Sequence, residues 1–198
     1  MKNEKQKNIV LAVLLVAVVT LTIAYALLSA TLTINAQATV KGANWDVHFQ
    51  EKSDQSAICV ASSKTGAATT TAEVKTQPTV SNTSFTGLAA DLKLPGDKVV
   101  CTWQVTNAGS IDAKLATYTA PALTYAGDSA DVTKVTGKIN TTLTVDGATP
   151  ANGDVLPATT GNTKDVVLTI EFDPNATELP SQDVTVTVAS ETFVYEQN

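Results

Sequence analysis

Few residues in this 198-residue chain could carry out chemistry: it contains one histidine, two cysteines and one methionine. A zinc peptidase site of the H-E-x-x-H type needs two histidines on one helical turn with a glutamate between them, so His48 cannot build one. His48 alternates with Val47 and Phe49, which predicts that its imidazole lies on the solvent face of a strand. We therefore expect no catalytic residue, no metal site and no cofactor, and we predict that the protein is not an enzyme.

The two cysteines, Cys59 and Cys101, each lie in an apolar stretch. Neither has a histidine or a cluster of lysines beside it that would activate a thiolate. In an exported chain two such residues predict a disulfide, which would close a loop and stabilise the fold by about 4 kcal/mol in the chain-entropy model. The alternative is a pair of buried free thiols that pack as small hydrophobic side chains.

The charge pattern excludes one class of partner. All thirteen basic residues are lysine, and the formal net charge is −6. Without a basic stripe to displace phosphate counterions, we expect no binding to nucleic acid. Two acidic pairs, Asp128 with Asp131 and Asp146 with Asp154, lack the ordered ligand spacing of a calcium loop, so we interpret them as solvated surface.

The amino terminus has the pattern of an export signal. Lys2, Lys5 and Lys7 precede twenty uncharged residues, 9–28, as a positive region precedes an apolar one in secretory signals. Cleavage is expected after the A-x-A site formed by Ala24 and Ala26, and a second such site ends at Ala38. The alternative is a retained helix, because twenty apolar residues span about 30 Å and could cross a bilayer.

The positioning elements are predicted to be strands. In residues 30–40, apolar and polar side chains alternate over a length that is unusual for one strand. Threonine occurs 32 times and favours pleated, half-buried surfaces. Further strands are predicted at Asn44–Gln50, Ala57–Ser62, Ala72–Val80, Lys98–Thr106, Ala113–Thr119, Lys138–Val145, Asp165–Phe172 and Asp183–Tyr195, and residues 148–164 are predicted to form an exposed excursion.

These elements predict an all-β fold, a jelly-roll-like β-sandwich preceded by an N-terminal hydrophobic signal helix. We divide the chain into a signal peptide or retained membrane helix (1–26), an N-terminal strand (27–40) and a single sandwich domain (41–198). No stretch after residue 30 shows a helical period over three turns, so no further helix is expected.

Residues 92–115 contain a P-G-D turn, Pro95 to Asp97, followed by a strand and an N-x-G-S turn that starts at Asn107. This stretch resembles the "L-x-P-G-D … V-x-N-x-G-S-x-x-A-x-L" segment of TasA/camelysin-type proteins, which are exported matrix-fibre subunits of Gram-positive bacteria. The A-x-A site before a long alternating strand is similar to the signals that the family's dedicated signal peptidase cuts. The two stretches cover about a third of the chain. The cysteine pair departs from the family pattern and leaves open whether this protein polymerises.

The resemblance and the alternating N-terminal strand together lead to one main expectation. The protein is expected to be an exported structural subunit of a cell-surface or biofilm-matrix fibre that assembles head-to-tail by donor-strand complementation. Its partners would be further copies of itself, related surface subunits and, during export, signal peptidase. The apolar face of the donor strand is Leu32, Ile34, Ala36, Ala38 and Val40. The alternative is a monomeric surface protein or adhesin anchored in the membrane by residues 9–28.

Overall fold

The computed structural model describes residues 7–8, 11, 13–18, 42–64, 71–188 and 192–198. The chain divides into two compact units, Met1–Lys41 and Gly42–Asn198. In the first unit the described residues, 7–8, 11 and 13–18, are helical. The signal cleavage residues Ala24 and Ala26 and the proposed donor residues Leu32, Ile34, Ala36, Ala38 and Val40 lie outside the described residues.

The second unit is all-β apart from one short helix, Ser129–Val135, as far as its described residues go. Asp128 caps this helix, since its side chain accepts a hydrogen bond from the Ala130 amide at 2.9 Å. In chain order the strands are β1 (Val47–Gln50), β2 (Cys59–Ser62), β3 (Glu73–Thr76), β4 (Thr79–Ser81), β5 (Ser84–Thr86), β6 (Ala89–Asp91), β7 (Lys98–Asn107), β8 (Ala113–Tyr118), β9 (Leu123–Ala126), β10 (Ile139–Val145), β11 (Val155–Leu156), β12 (Thr163–Phe172), β13 (Thr185–Val188) and β14 (Phe193–Gln197).

The largest sheet is antiparallel and is built on β7 and β12, which are ten residues long each. On one side of this pair lies β10, joined to β12 from Ile139 opposite Phe172 to Val145 opposite Val166. On the other side, β1 and β2 share the edge of β7: β2 pairs with its first half and β1 with its second half. The order is therefore β1 and β2 together, then β7, β12 and β10.

A second layer packs on one face of this sheet. In this layer β8 pairs with β14, and β9 pairs with β13. The short strand β11 pairs with the start of β8. The hairpin β4–β5 and the β3–β6 pair add further cover. Two antiparallel layers around a common core make the unit sandwich-like.

Alternation on the long strands builds this core. On β7 the side chains of Val99, Cys101, Trp103 and Val105 point to the second layer, and all four are at most 3% exposed. Val166 and Leu168 of β12 and Leu143 of β10 continue the same face. A smaller cluster formed by Val135, Ile139 and Phe172 packs below the short helix with residues of β9 and β13. The alternating apolar pattern therefore specifies which face of each long strand is buried.

Several sequence predictions need correction. The Ser129–Val135 helix was not expected, because seven residues are too few to establish a helical period. The predicted strands Ala72–Val80 and Asp183–Tyr195 are each split in two. Residues 148–164 are not wholly an exposed excursion, since Leu156 pairs with β8 and is 1% exposed. Asp131 is not solvated surface, because it is 2% exposed and accepts hydrogen bonds from Ser181 and Gln182.

Candidate functional site

Cys59 and Cys101 are joined by a disulfide, the pairing that the sequence predicts. They lie directly opposite each other on β2 and β7, with 4.0 Å between their Cα atoms. Residues that face each other without exchanging hydrogen bonds are the closest pairs of an antiparallel ladder. Both side chains are at most 2% exposed, so the disulfide lies within the core and is shielded from solvent reductants.

The P-G-D turn ends in a buried carboxylate. Asp97 is 1% exposed and accepts hydrogen bonds from four groups: the Ser63 hydroxyl at 2.6 Å, the Thr71 hydroxyl at 2.6 Å, the Lys93 amide at 2.8 Å and the Leu94 amide at 3.0 Å. Burial opposes ionisation of this carboxyl, but the four donors outweigh burial and hold the pKa of Asp97 below its usual range. Asp97 therefore connects the start of β7 to Ser63 and Thr71.

The N-x-G-S turn is held by a buried amide. Asn107 is fully buried, and its Nδ2 donates to the carbonyl oxygens of Ile111 at 2.9 Å and Leu156 at 3.0 Å. Its Oδ1 accepts from the Gly109 amide at 3.0 Å. All three of these hydrogen bonds join the Asn107 side chain to backbone groups. Asn107 thus connects β7, the following turn and β11.

Gly109 allows two segments of backbone to come close together. A Cβ at this position would lie 2.6 Å from the carbonyl oxygen of Asn44 and 2.9 Å from the Asp46 nitrogen. The neighbouring amides of Ala108 and Ser110 donate to Asp46 and Asn44, each at 2.8 Å. Glycine is required here by close approach, and this contact fixes the entry of the chain into β1.

The outer face of the large sheet carries a small polar cluster. Lys52 donates to Asp165 at 2.6 Å, and Gln104 donates to the other oxygen of the same carboxylate at 2.9 Å. The Lys52 hydrogen bond, with help from Gln104, lowers the pKa of Asp165. His48 lies on this face and contacts Asp46 at 2.8 Å. These side chains are part-buried and paired with one another, an arrangement typical of a solvated sheet face.

One edge of the large sheet is closed. Hydrogen bonds that join Asp46 to Ala108 and Ile58 to Thr102 fix the phase of the β1 and β2 ladders. By alternation, Phe49 and Cys59 direct their backbone groups away from β7. The Phe49 amide donates to the Asn82 carbonyl at 2.9 Å.

The outward backbone groups of Cys59 are both bonded to one side chain. The amide of Cys59 donates to Gln77 Oε1 at 2.9 Å, and Gln77 Nε2 donates back to the Cys59 carbonyl at 2.8 Å. This side-chain amide occupies the positions that a neighbouring strand would use.

On the opposite edge, no described strand lies beyond β10. Hydrogen bonds join Lys138 to Asp173 and Asp146 to Asp165 at the two ends of the β10–β12 ladder. Alternation therefore directs the amide and carbonyl groups of Ile139, Thr141 and Leu143 away from β12. Within the part of the chain that the structure describes, none of these groups has a hydrogen-bond partner.

A cavity of about 190 Å³ lies where β10 ends. Val145, Leu115 and Leu156 form its apolar walls, and Tyr195 of β14 contributes to the lining. Burial, together with the nearby charge of Asp154, raises the pKa of Tyr195 to about 12. The tyrosine is therefore neutral at physiological pH, whereas Asp146, Asp154 and Lys164 place charged groups in the lining of the same cavity.

The described residues contain no cluster of three or more histidine, cysteine or acidic side chains that could hold a metal ion. Among the same residues no helix has the length and apolar character needed to cross a membrane.

A comparison of the chain with protein-family models finds no match, and searches of the curated proteins and of the solved structures find no match either.

Sequence reasoning singled out the cysteines but missed the β10 edge. Strand β10 was predicted at Lys138–Val145, yet its position at the end of the sheet could not be predicted from its own residues. Its residues favour the opposite position: the segment INTTLTV has no charge and no proline, which is typical of a strand with neighbours on both sides, because natural edge strands usually carry one or the other.

Proposed function

We propose that this protein is an exported structural subunit of a cell-surface or biofilm-matrix fibre, with residues 27–40 acting as the donor strand of the next subunit. We also propose that the two layers of the β-unit are connected as in a jelly roll. One observation carries it: an uncharged segment of eleven residues, 30–40, alternates strictly between apolar and polar side chains directly before a compact unit that starts at Gly42.

The β-unit supports this assignment because its core is assembled from residues that follow Gly42. Ten side chains from β2, β7, β8, β10, β11 and β12 form one cluster, each at most 4% exposed. Because this cluster is formed by residues of the unit itself, a strand from another copy can join the unit without unfolding it. Such a contact uses different surfaces on its two sides, so it propagates into a filament.

Deletion of Leu27–Val40 tests the proposal. The deleted protein should remain folded by circular dichroism and should form no filaments in electron microscopy. If the same strand pairs inside its own unit, the deletion will unfold the monomer, and filaments of wild-type appearance would exclude the donor-strand mechanism.

Matched substitutions sharpen the test. Leu32→Asp and Ile34→Asp should abolish filaments, because each would bury an unpaired carboxylate in the acceptor. Thr31→Asp and Thr33→Asp, on the polar face of the same strand, should have a much smaller effect. Equal effects on both faces would contradict the proposed orientation.

Processing of the amino terminus separates the main function from its alternative. The mature protein should begin at or near Leu27, after the A-x-A site that ends at Ala26. Sequencing the amino terminus of surface-extracted protein checks this. A chain that retains residues 1–26 would favour the anchored surface protein.

A further inference from the structure

We propose that the acceptor for the donor strand is the open part of the β10 edge, residues 139–143, on a second copy of this chain; beyond it, the outward groups of Val145 are bonded to Ala148. This inference rests on the proposed function and specifies the surface that the donor strand binds. Ile139, Thr141 and Leu143 present three amides and three carbonyls outward, a row that a strand of five or more residues can satisfy.

The other edge of the same sheet cannot accept a strand. The Gln77 side chain occupies the outward groups of Cys59, and the Asn82 carbonyl occupies the Phe49 amide. An incoming strand would have to displace both. The large sheet therefore offers one unoccupied edge among its described strands.

The competing edge in the second layer is β14. Its outward backbone groups belong to Phe193, Tyr195 and Gln197, by the same alternation. However, β14 carries Glu196, which pairs with Lys114 of β8 at 3.1 Å. Charged side chains on an edge strand disfavour addition of another strand. Strand β10 has no charged residue, so it is the less protected of the two edges.

The side chains of β10 match those of the donor on both faces. Asn140 and Thr142 are exposed on the outer face, and Ile139 and Leu143 are buried on the inner one. A strand added beside β10 would place the donor's threonines next to threonine and asparagine, a favourable cross-strand combination.

On the inner side the donor would extend the core. Its Leu32 and Ile34 would continue the apolar face to which Leu143 belongs.

A proline substitution tests the acceptor while sparing the subunit. Thr141→Pro removes an outward amide that the β10–β12 ladder does not use, and proline is tolerated at such positions of edge strands. Filament formation by the full chain should be lost, with an unchanged circular dichroism spectrum. The matched control is Gln197→Pro, which removes an outward amide from β14 and should leave filaments intact.

Cysteine cross-linking gives a readout that does not depend on a loss of assembly. Subunits with Thr33→Cys are mixed with subunits with cysteine at residue 140, 142 or 144, all on the outer face of β10. At least one combination should give a disulfide-linked dimer after assembly, since paired residues in adjacent strands lie within bonding distance. Thr33→Cys mixed with Val194→Cys of β14 should give none.

The outcomes separate this inference from the proposed function. If the Leu27–Val40 deletion abolishes filaments but Thr141→Pro does not, the acceptor assignment is wrong and the donor strand stands. Cross-links to Val194→Cys, or filaments without any cross-link to β10, would also overturn it. Dimers linked through the β10 edges of two subunits would show instead that this edge pairs with itself. Filaments that survive the deletion would overturn both.

Discussion

Replacing Asp97 with alanine tests whether the P-G-D turn stabilises the fold through the hydrogen bonds of Asp97, a role that we call a clasp. The substitution removes the acceptor of four hydrogen bonds. The hydroxyls of Ser63 and Thr71 lie 3.1 Å apart and can bond to each other after the change. The amides of Lys93 and Leu94 have no other hydrogen-bond acceptor among the described residues, so their loss decides the cost.

The magnitude follows from those two amides. A hydrogen bond to a charged group contributes about 1.5–3 kcal/mol, and water can reach part of the vacated site, so we expect a loss of about 3 kcal/mol in the free energy of unfolding. For a protein of this size the melting temperature should fall by about 6–12 °C. Asp97→Asn keeps one acceptor oxygen and should cost about half as much.

Urea unfolding followed by circular dichroism measures this effect, and the slope of free energy against urea should stay unchanged. Asp183→Ala is the matched control, because Asp183 is exposed and should change stability by less than about 0.5 kcal/mol. A loss below about 1 kcal/mol for Asp97→Ala would refute the clasp, since it would mean that the four bonds contribute no more than a surface contact.

The pH dependence provides a second check on Asp97. Because the pKa of Asp97 is lowered in the folded protein, the unfolded chain binds more protons in acid. The contribution of Asp97 to stability should be complete above about pH 5 and should be lost as the pH falls through its folded-state pKa. Asp97→Asn should show a shallower loss of stability below pH 5. An identical acid profile for the variant and the wild type would contradict this.

Three further predictions concern other parts of the β-unit. Replacing Cys59 and Cys101 with alanine should lower the free energy of unfolding by about 4 kcal/mol, because the disulfide closes a loop between residues 42 positions apart. Alkylation of both thiols without prior reduction would show that no disulfide exists. Gly109→Ala should lower the melting temperature, because its Cβ would meet backbone atoms at 2.6 Å and 2.9 Å, whereas Gly42→Ala, in open space, should not. The pKa of Asp131 is also lowered, chiefly by its hydrogen bond with Lys134. Lys134→Met should therefore reduce stability at neutral pH, and the reduction should be smaller in acid, where Asp131 becomes protonated. A reduction that does not change with pH would contradict a role for the charge of Asp131.

The amino-acid sequence determined the long strands. Alternation of apolar and polar residues predicted β7, β10 and β12 within two residues at either end, because the side-chain period of a strand is a local property. The turn at Pro95 and Gly96 could also be predicted, because a proline followed by a glycine favours a turn in which the glycine has a positive φ. In the structure Gly96 has a φ of +90°. With only two cysteines in the chain, their pairing had one intramolecular solution.

Only the tertiary structure decided what the polar residues of these motifs contact. Asp97 and Asn107 stand in predicted turns, and nothing in the turn sequences indicates that both are buried and bonded to segments far along the chain. Asp131 became buried for the same reason, through Ser181, fifty residues away. The order of the described strands likewise places β10 at the end of the sheet, with β12 as its one strand neighbour among them. Burial and edge position depend on which distant segments meet, and a pattern of period two carries no information about the partner on the other side of a strand.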